Sequence, residues 1–218
     1  MSDVKGGPPK RRYRSPVREE SARRTRQAIV SAAGTLFITR GYTATSLAGI
    51  AAAAGVARPT VFAAFGSKPA LLRHVLDQAL AGDDEPVPVA ERPWFQPVWQ
   101  ATTQGGVLGA YAGVCTLIGG RAAQIFEAVR RAADTAEEVS QLWDTLQANR
   151  RAGAHMVVRR LETLAPLRPG LGTTTATDRL WICNDPAHYD ALVHHCGWPE
   201  TEFTTWLSAQ MRQALLAG

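Results

Sequence analysis

Apolar positions along this chain recur at three- and four-residue steps, and nowhere does strict alternation run long enough to predict a strand. Ala28, Ile29, Ala32, Leu36 and Phe37 share one face of a helix that begins near Glu19 and that Gly41 stops. The units then shorten. Thr45 is placed to cap a brief helix over 46–54 whose inward face is Leu47, Ile50 and Ala51, and Gly55 ends it. A second short helix over 58–64 tolerates Pro59 in its first turn, and Ser67 caps a longer segment carrying Leu71, Leu72, Val75, Leu76 and Leu80. An Asp-, Glu- and Pro-rich stretch over 81–97 separates these units from further helices expected at 97–119, 121–133, 136–164, 174–184, 186–195 and 200–216. The pattern predicts an all-α fold.

Charge divides the chain in two. Residues 1–40 hold ten Lys and Arg against three Asp and Glu, a formal +7, so the overall +5 leaves the remainder at −2. A basic head on a mildly acidic body points to a polyanion at one end only. The first 17 residues, rich in Pro, Gly, Lys and Arg, are expected to form a disordered basic arm.

Several classes are set aside. Ser31, Gly34, Thr35 and Thr39 interrupt the apolar run that follows the basic stretch, so it does not read as a secretory leader. The uncharged run from Pro93 to Gly120 carries Gly105, Gly109 and Gly113 at the spacing of packed membrane helices. Its first half is Gln- and Thr-rich, however, and the apolar remainder is shorter than the roughly 20 residues needed to span a bilayer, so no membrane partner is expected. Three scattered cysteines make no disulfide framework and fit a cytoplasmic protein. No nucleophile elbow, Gly-rich phosphate loop or pair of carboxylates at useful helical spacing indicates an enzyme, and no cofactor is implied.

The two short helices and their Gly-containing turn have helix-turn-helix spacing, in which the second helix enters the major groove. Ala28 to Phe37 with Gly41-Tyr42, then Thr45-Ser46-Leu47, Ile50-Ala51, Ala54-Gly55-Val56, Thr60-Val61-Phe62, Phe65, and Ser67-Lys68 with Leu71-Leu72, resemble the N-terminal domain of the TetR family of bacterial transcriptional regulators over about residues 22–75. The resemblance implies a three-helix DNA-binding domain over 18–66, a connecting helix over 67–81, and a helical effector-binding and dimerisation domain over 82–218. It further implies repression of a pseudo-palindromic operator, relieved by a small effector. It assigns Thr45, Ser46 and Lys68 to phosphates and puts Arg58, Pro59, Thr60 and Phe62 on the DNA-facing helix, Arg58 suiting guanine O6/N7. This chain departs from the usual family pattern at Ala57, Phe62 and Ala64, and Phe62 lacks a phenolic donor for a phosphate. Arg11, Arg12 and Arg14 of the arm are candidates to compensate, along phosphates or in a minor groove.

For the larger part, a cavity lining is sought among Trp94, Phe95, Trp99, Tyr111, Cys115, Phe126, Trp143, Asn149, His155, Met156 and Trp181. An aromatic stripe is more often plain core, so fewer than half of these are expected to line a cavity. The near-neutral, Trp-bearing interior favours an uncharged effector, while Arg150 and Arg151 either hint at an anionic group or face solvent. Leu192, Val193, Phe203, Trp206, Leu207 and Met211 supply apolar faces for a homodimer interface. Cys183, His188, His194, His195 and Cys196 are dense in sequence but fit no tight chelate, so no metal site is assigned. The competing reading is a helical small-molecule-binding or metal- and thiol-sensing protein with weak DNA binding or none.

Overall fold

A computed structural model describes residues 16–217. The expected basic arm, with Arg11, Arg12 and Arg14, lies outside the described residues. Ten α-helices follow in order: α1 (Pro16–Arg40), α2 (Leu47–Ala53), α3 (Arg58–Phe65), α4 (Lys68–Ala81), α5 (Gln96–Gln100), α6 (Gln104–Ala133), α7 (Glu137–Glu162), α8 (Thr173–Cys183), α9 (Pro186–Tyr189) and α10 (Glu200–Leu215). Short 3-10 turns at Val89–Glu91 and Pro93–Phe95 precede α5, and α9 widens into a π-helical turn over Asp190–His195. Among the described residues there is no strand, so the fold is all-α.

Local signals explain most boundaries. Ser46, Ser67, Thr103 and Asp185 each accept a hydrogen bond from a backbone N–H in the first turn of the helix they precede. Gly82 closes α4 with φ +93°, and the Cβ of any other residue there would also press on the Arg121 guanidinium. Capping of α2 falls to Ser46 and not to Thr45, whose side chain turns the other way.

The sequence pattern predicts two helices meeting at Gly119-Gly120, whereas α6 runs unbroken through them. The glycines serve packing instead. A Cβ at Gly119 would lie 2.6 Å from the Tyr189 ring, so its absence lets α9 press against α6. The break lies earlier, at Ala101–Thr103, where extended backbone separates α5 from the Thr103 cap. By length and composition α6 could cross a membrane, but it is the central helix, packed against α4, α5, α7, α9 and α10.

Two hydrophobic clusters share that helix. One joins Ile29, Phe37, Ile50, Val61 and Leu72 of α1–α4 to Ile125, Phe126 and Val129 in the C-terminal half of α6 and to Leu142 of α7. The other joins Leu108 and Ala112 in its N-terminal half to α7, α8 and α10 through Val157, Leu180, Phe203 and Leu207. The small N-terminal unit therefore rests on the same helix that centres the larger one.

Between α4 and α5 the chain forms a strap over 83–90. Buried Arg92 holds it, its Nη1 on the Asp83 carboxylate, its Nε on Val87 O at 3.0 Å and its Nη2 on Glu85 O at 2.8 Å. The guanidinium hydrogen bond keeps the Asp83 carboxyl below the usual carboxylate range. Arg92→Met should lower the melting temperature and speed amide hydrogen exchange across 83–92. Unchanged exchange there would show that the prolines alone order the strap.

Candidate nucleic-acid interface and ligand cavity

Helices α2 and α3 turn through 110° about Ala54–Ala57, where Gly55 takes φ +67°. Inward-facing Ile50, Ala51 and Val61 anchor the pair on α1 and α4. Burying Val61 leaves Arg58, Pro59, Phe62 and Ala63 exposed on the opposite face of α3, with Thr60 exposed beside them. Phe62 is 65% exposed, a large apolar side chain left open on the surface of the described residues. The C-terminal end of α3 is fixed from α1. Arg26 donates to Ala64 O at 2.7 Å, and its guanidinium stands 4.4 Å from the Phe65 ring centroid, a cation at the negative end of the helix. The exposed face of α3 is thus anchored from α1, with an arginine at its N-terminal edge and no acidic residue in its first turn.

One expected phosphate contact is corrected, and another residue has a second role. Thr45 is 3% exposed, and its hydroxyl lies 2.8 Å from Gly41 O and 3.1 Å from Leu36 O, closing the end of α1. That hydroxyl is not offered to DNA. Lys68 points into the domain: its ammonium donates to Tyr42 O at 3.0 Å and Thr45 O at 3.1 Å and sits 4.0 Å from the Tyr42 ring centroid. Burial lowers its pKa. It is therefore a clamp on the α1–α2 loop before it is a phosphate ligand. Ser46 stays exposed beside that loop. Lys68→Met should cost about 1–3 kcal/mol in urea unfolding, the scale of hydrogen bonds to a charged donor. Unchanged stability with a salt slope of DNA binding reduced by about one would restore the phosphate role.

A cavity of about 800 Å³ opens between α4, the strap, α6 and α7. Phe95, Trp99, Tyr111, Cys115, Phe126, Asn149 and Met156 line it, seven of the eleven residues singled out in the sequence, where fewer than half were expected. The other four do not. Trp94 packs beside Phe95 and under Arg121, Trp143 packs edge-on against Phe126 in the core, His155 sits on the exterior near Thr177, and Trp181 braces Arg150 from outside. Sequence reasoning missed the wall made by α4, where Arg73, His74, Leu76, Asp77 and Leu80 face the cavity. It also missed the strap and Asn184, whose side chain donates to Tyr111 Oη at 2.8 Å. The amphipathic pattern of α4 was visible; that its flank would border a cavity depends on how α7 and the strap pack. Burial pushes the Cys115 thiol up to about 12 and raises the Tyr111 phenol, so both remain protonated.

His74 joins the two sites. It lines the cavity while its ring stands edge-on to Phe65 at the end of α3, 5.4 Å between centroids. Burial and then Arg26 lower its pKa, keeping it neutral.

The expected interface residues need a second correction. Phe203, Leu207 and Met211 are 2%, 1% and 0% exposed, packed inward from α10 into the core. Leu192, Val193 and Trp206 are half-buried, and the large apolar side chain left open nearby is Ile182 on α8, 58% exposed. Among the C-terminal imidazoles, His194 and His195 both engage Asp190 and His188 meets Ile182 O. Among the described residues no three His, Cys, Asp or Glu converge as metal ligands would.

Comparison with known proteins agrees with this geometry. Residues 29–75 match the family model for bacterial regulatory proteins, tetR family. A search of curated proteins returned no match. Among solved structures, a TetR-family transcriptional regulator from Rhodococcus sp., titled putative, superposes with a TM-score of 0.66 at 11% identity, covering 88% of this chain and 98% of that one. NalD of Pseudomonas aeruginosa, titled the secondary repressor of the MexAB-OprM multidrug efflux pump, gives 0.66 at 20% identity, covering 89% and 98%. At these identities the likeness is one of fold, and it extends well beyond the matched segment. Residues 29–75 thus match the model of the tetR family of bacterial regulatory proteins, and the chain around them has the all-helical fold of the solved regulators it superposes on.

Proposed function

We propose that the protein is a cytoplasmic, homodimeric repressor that reads a pseudo-palindromic operator through α3 and leaves it when a small, largely apolar molecule fills the cavity. The observation that carries this reading is the position of α4. Its first residue clamps the helix-turn-helix loop through Lys68, and its later turns form a cavity wall in which His74 also touches α3 through Phe65. A molecule that favours one setting of α4 thereby favours one spacing of the two recognition helices in a dimer, and only such differential affinity shifts the equilibrium. NalD, similar in fold, is itself titled a repressor.

The site division supports the DNA side. Arg58 and Thr60 lie at the N-terminal turn of α3, where base-edge contacts are made, and Ser46 lies beside the loop that Lys68 orders. The test is a gel shift of the full chain on the region upstream of its own gene. A salt-sensitive complex that survives excess scrambled duplex is expected. Equal competition by scrambled DNA would remove the operator-binding reading and leave a ligand-binding protein.

A further inference from the structure

We infer that the molecule the cavity accepts is amphipathic, with an apolar ring or chain body and a carboxylate head set against Arg150. This rests on the cavity being the effector site. Arg150 lines the cavity from α7, and its side chain is only 10% exposed. A guanidinium carries five N–H hydrogens. Here Nη1 donates to Gln147 Oε1 at 2.5 Å, and Nη2 faces Trp181 O at 3.1 Å, Asn184 Oδ1 at 2.9 Å and Asp185 at 3.3 Å. Nε is buried without an acceptor. Among the described residues two other buried side-chain donors share that condition, Arg160 Nε and Trp181 Nε1, but neither residue lines the cavity.

Packing alone gives no reason for this arginine, because an apolar side chain of similar volume would fill the wall without the desolvation cost of a charge. Its one carboxylate partner among the described residues, Asp185, stands 3.3 Å from Nη2 and is a third exposed. The Phe126 ring, 5.4 Å from the guanidinium carbon, and the Trp181 ring, 5.7 Å away, keep the surroundings apolar, which strengthens any pairing with an incoming anion. Tyr111 and Cys115 on the same wall remain protonated and do not repel it.

The carboxylates that line the cavity, Asp77, Asp83, Asp84 and Glu85, belong to α4 and the strap. Asp83 is already paired with Arg92. The rest disfavour an oxyanion on their side, which leaves the Arg150 wall for the head and the rings and aliphatic groups for the body.

Binding of three probes to the full chain, followed by tryptophan fluorescence and calorimetry, tests the assignment: 2-naphthoate, 2-naphthalenemethanol and 2-naphthylmethylammonium. The carboxylate should bind at least about tenfold tighter than the alcohol, and the ammonium weakest. R150Q should erase that preference, and R73Q at the same cavity should keep it. Should R150Q fail to fold by circular dichroism, R150K, which keeps the charge, should retain a preference for the carboxylate. An alcohol or ammonium that matches naphthoate on the wild-type chain overturns the assignment but leaves the cavity reading standing. A chain that binds none of the three overturns both.

Discussion

Ile182→Glu should leave the chain folded, make it sediment as a monomer, and reduce its affinity for a two-half-site operator by about 10²–10⁴-fold, the scale lost when two linked contacts become one. Ile182 is more than half exposed on α8, so a charge there meets water in the isolated protomer and disturbs no core packing. In the proposed homodimer, an interface that includes the exposed face of α8 would bury the same charge against its symmetry copy, where like charges repel and desolvation is costly. Trp206 is a poorer position for this test. Its ring packs against Phe203, Trp198 and His188 of its own chain, so a charge there confounds unfolding with dissociation. A dimeric Ile182→Glu variant with unchanged operator affinity would move the interface off α8.

The second large effect belongs to Arg58. Arg58→Ala should cost about 1–3 kcal/mol on the preferred operator and relax the preference at one base position in each half-site, as loss of a bidentate contact to guanine does. The side chain is exposed at the start of α3 and makes no hydrogen bond within the described chain, so the variant should unfold at the same urea concentration as the parent. Equal weakening on every duplex, specific or scrambled, would assign Arg58 to the phosphate backbone. The contrast with Lys68→Met is then direct. Arg58→Ala should change specificity with stability untouched, and Lys68→Met should change stability first.

The small domain was legible because its signals are local. Gly41, Gly55 and Ser67 punctuate short helices, and each punctuation mark has a backbone reason within a few residues. What failed there was direction. Thr45 and Lys68 occupy the positions where a phosphate ligand is expected, yet their polar atoms meet carbonyls of the α1–α2 loop, a contact set by how α4 crosses α1. The larger domain was legible as helices and much less as a site. Gly119-Gly120 read as a break because nothing in the sequence shows that Tyr189, far along the chain, will lie against them. Phe203, Leu207 and Met211 read as an interface because an apolar face does not reveal whether its partner is α6 of the same chain or a second copy. The cavity's aromatics could be listed from composition, but the α4 wall and the strap that Arg92 ties down are tertiary facts.

Selection of binding sites by the full chain from a pool of randomised duplexes tests the central claim most directly, because it presupposes neither the operator nor the effector. The account predicts enrichment of an inverted repeat whose half-sites lie about one helical turn or more apart, carrying a base pair whose selection Arg58→Ala abolishes. Recovery of unrelated sequences held only by salt-sensitive, non-specific binding, or of no duplex at all, would contradict it.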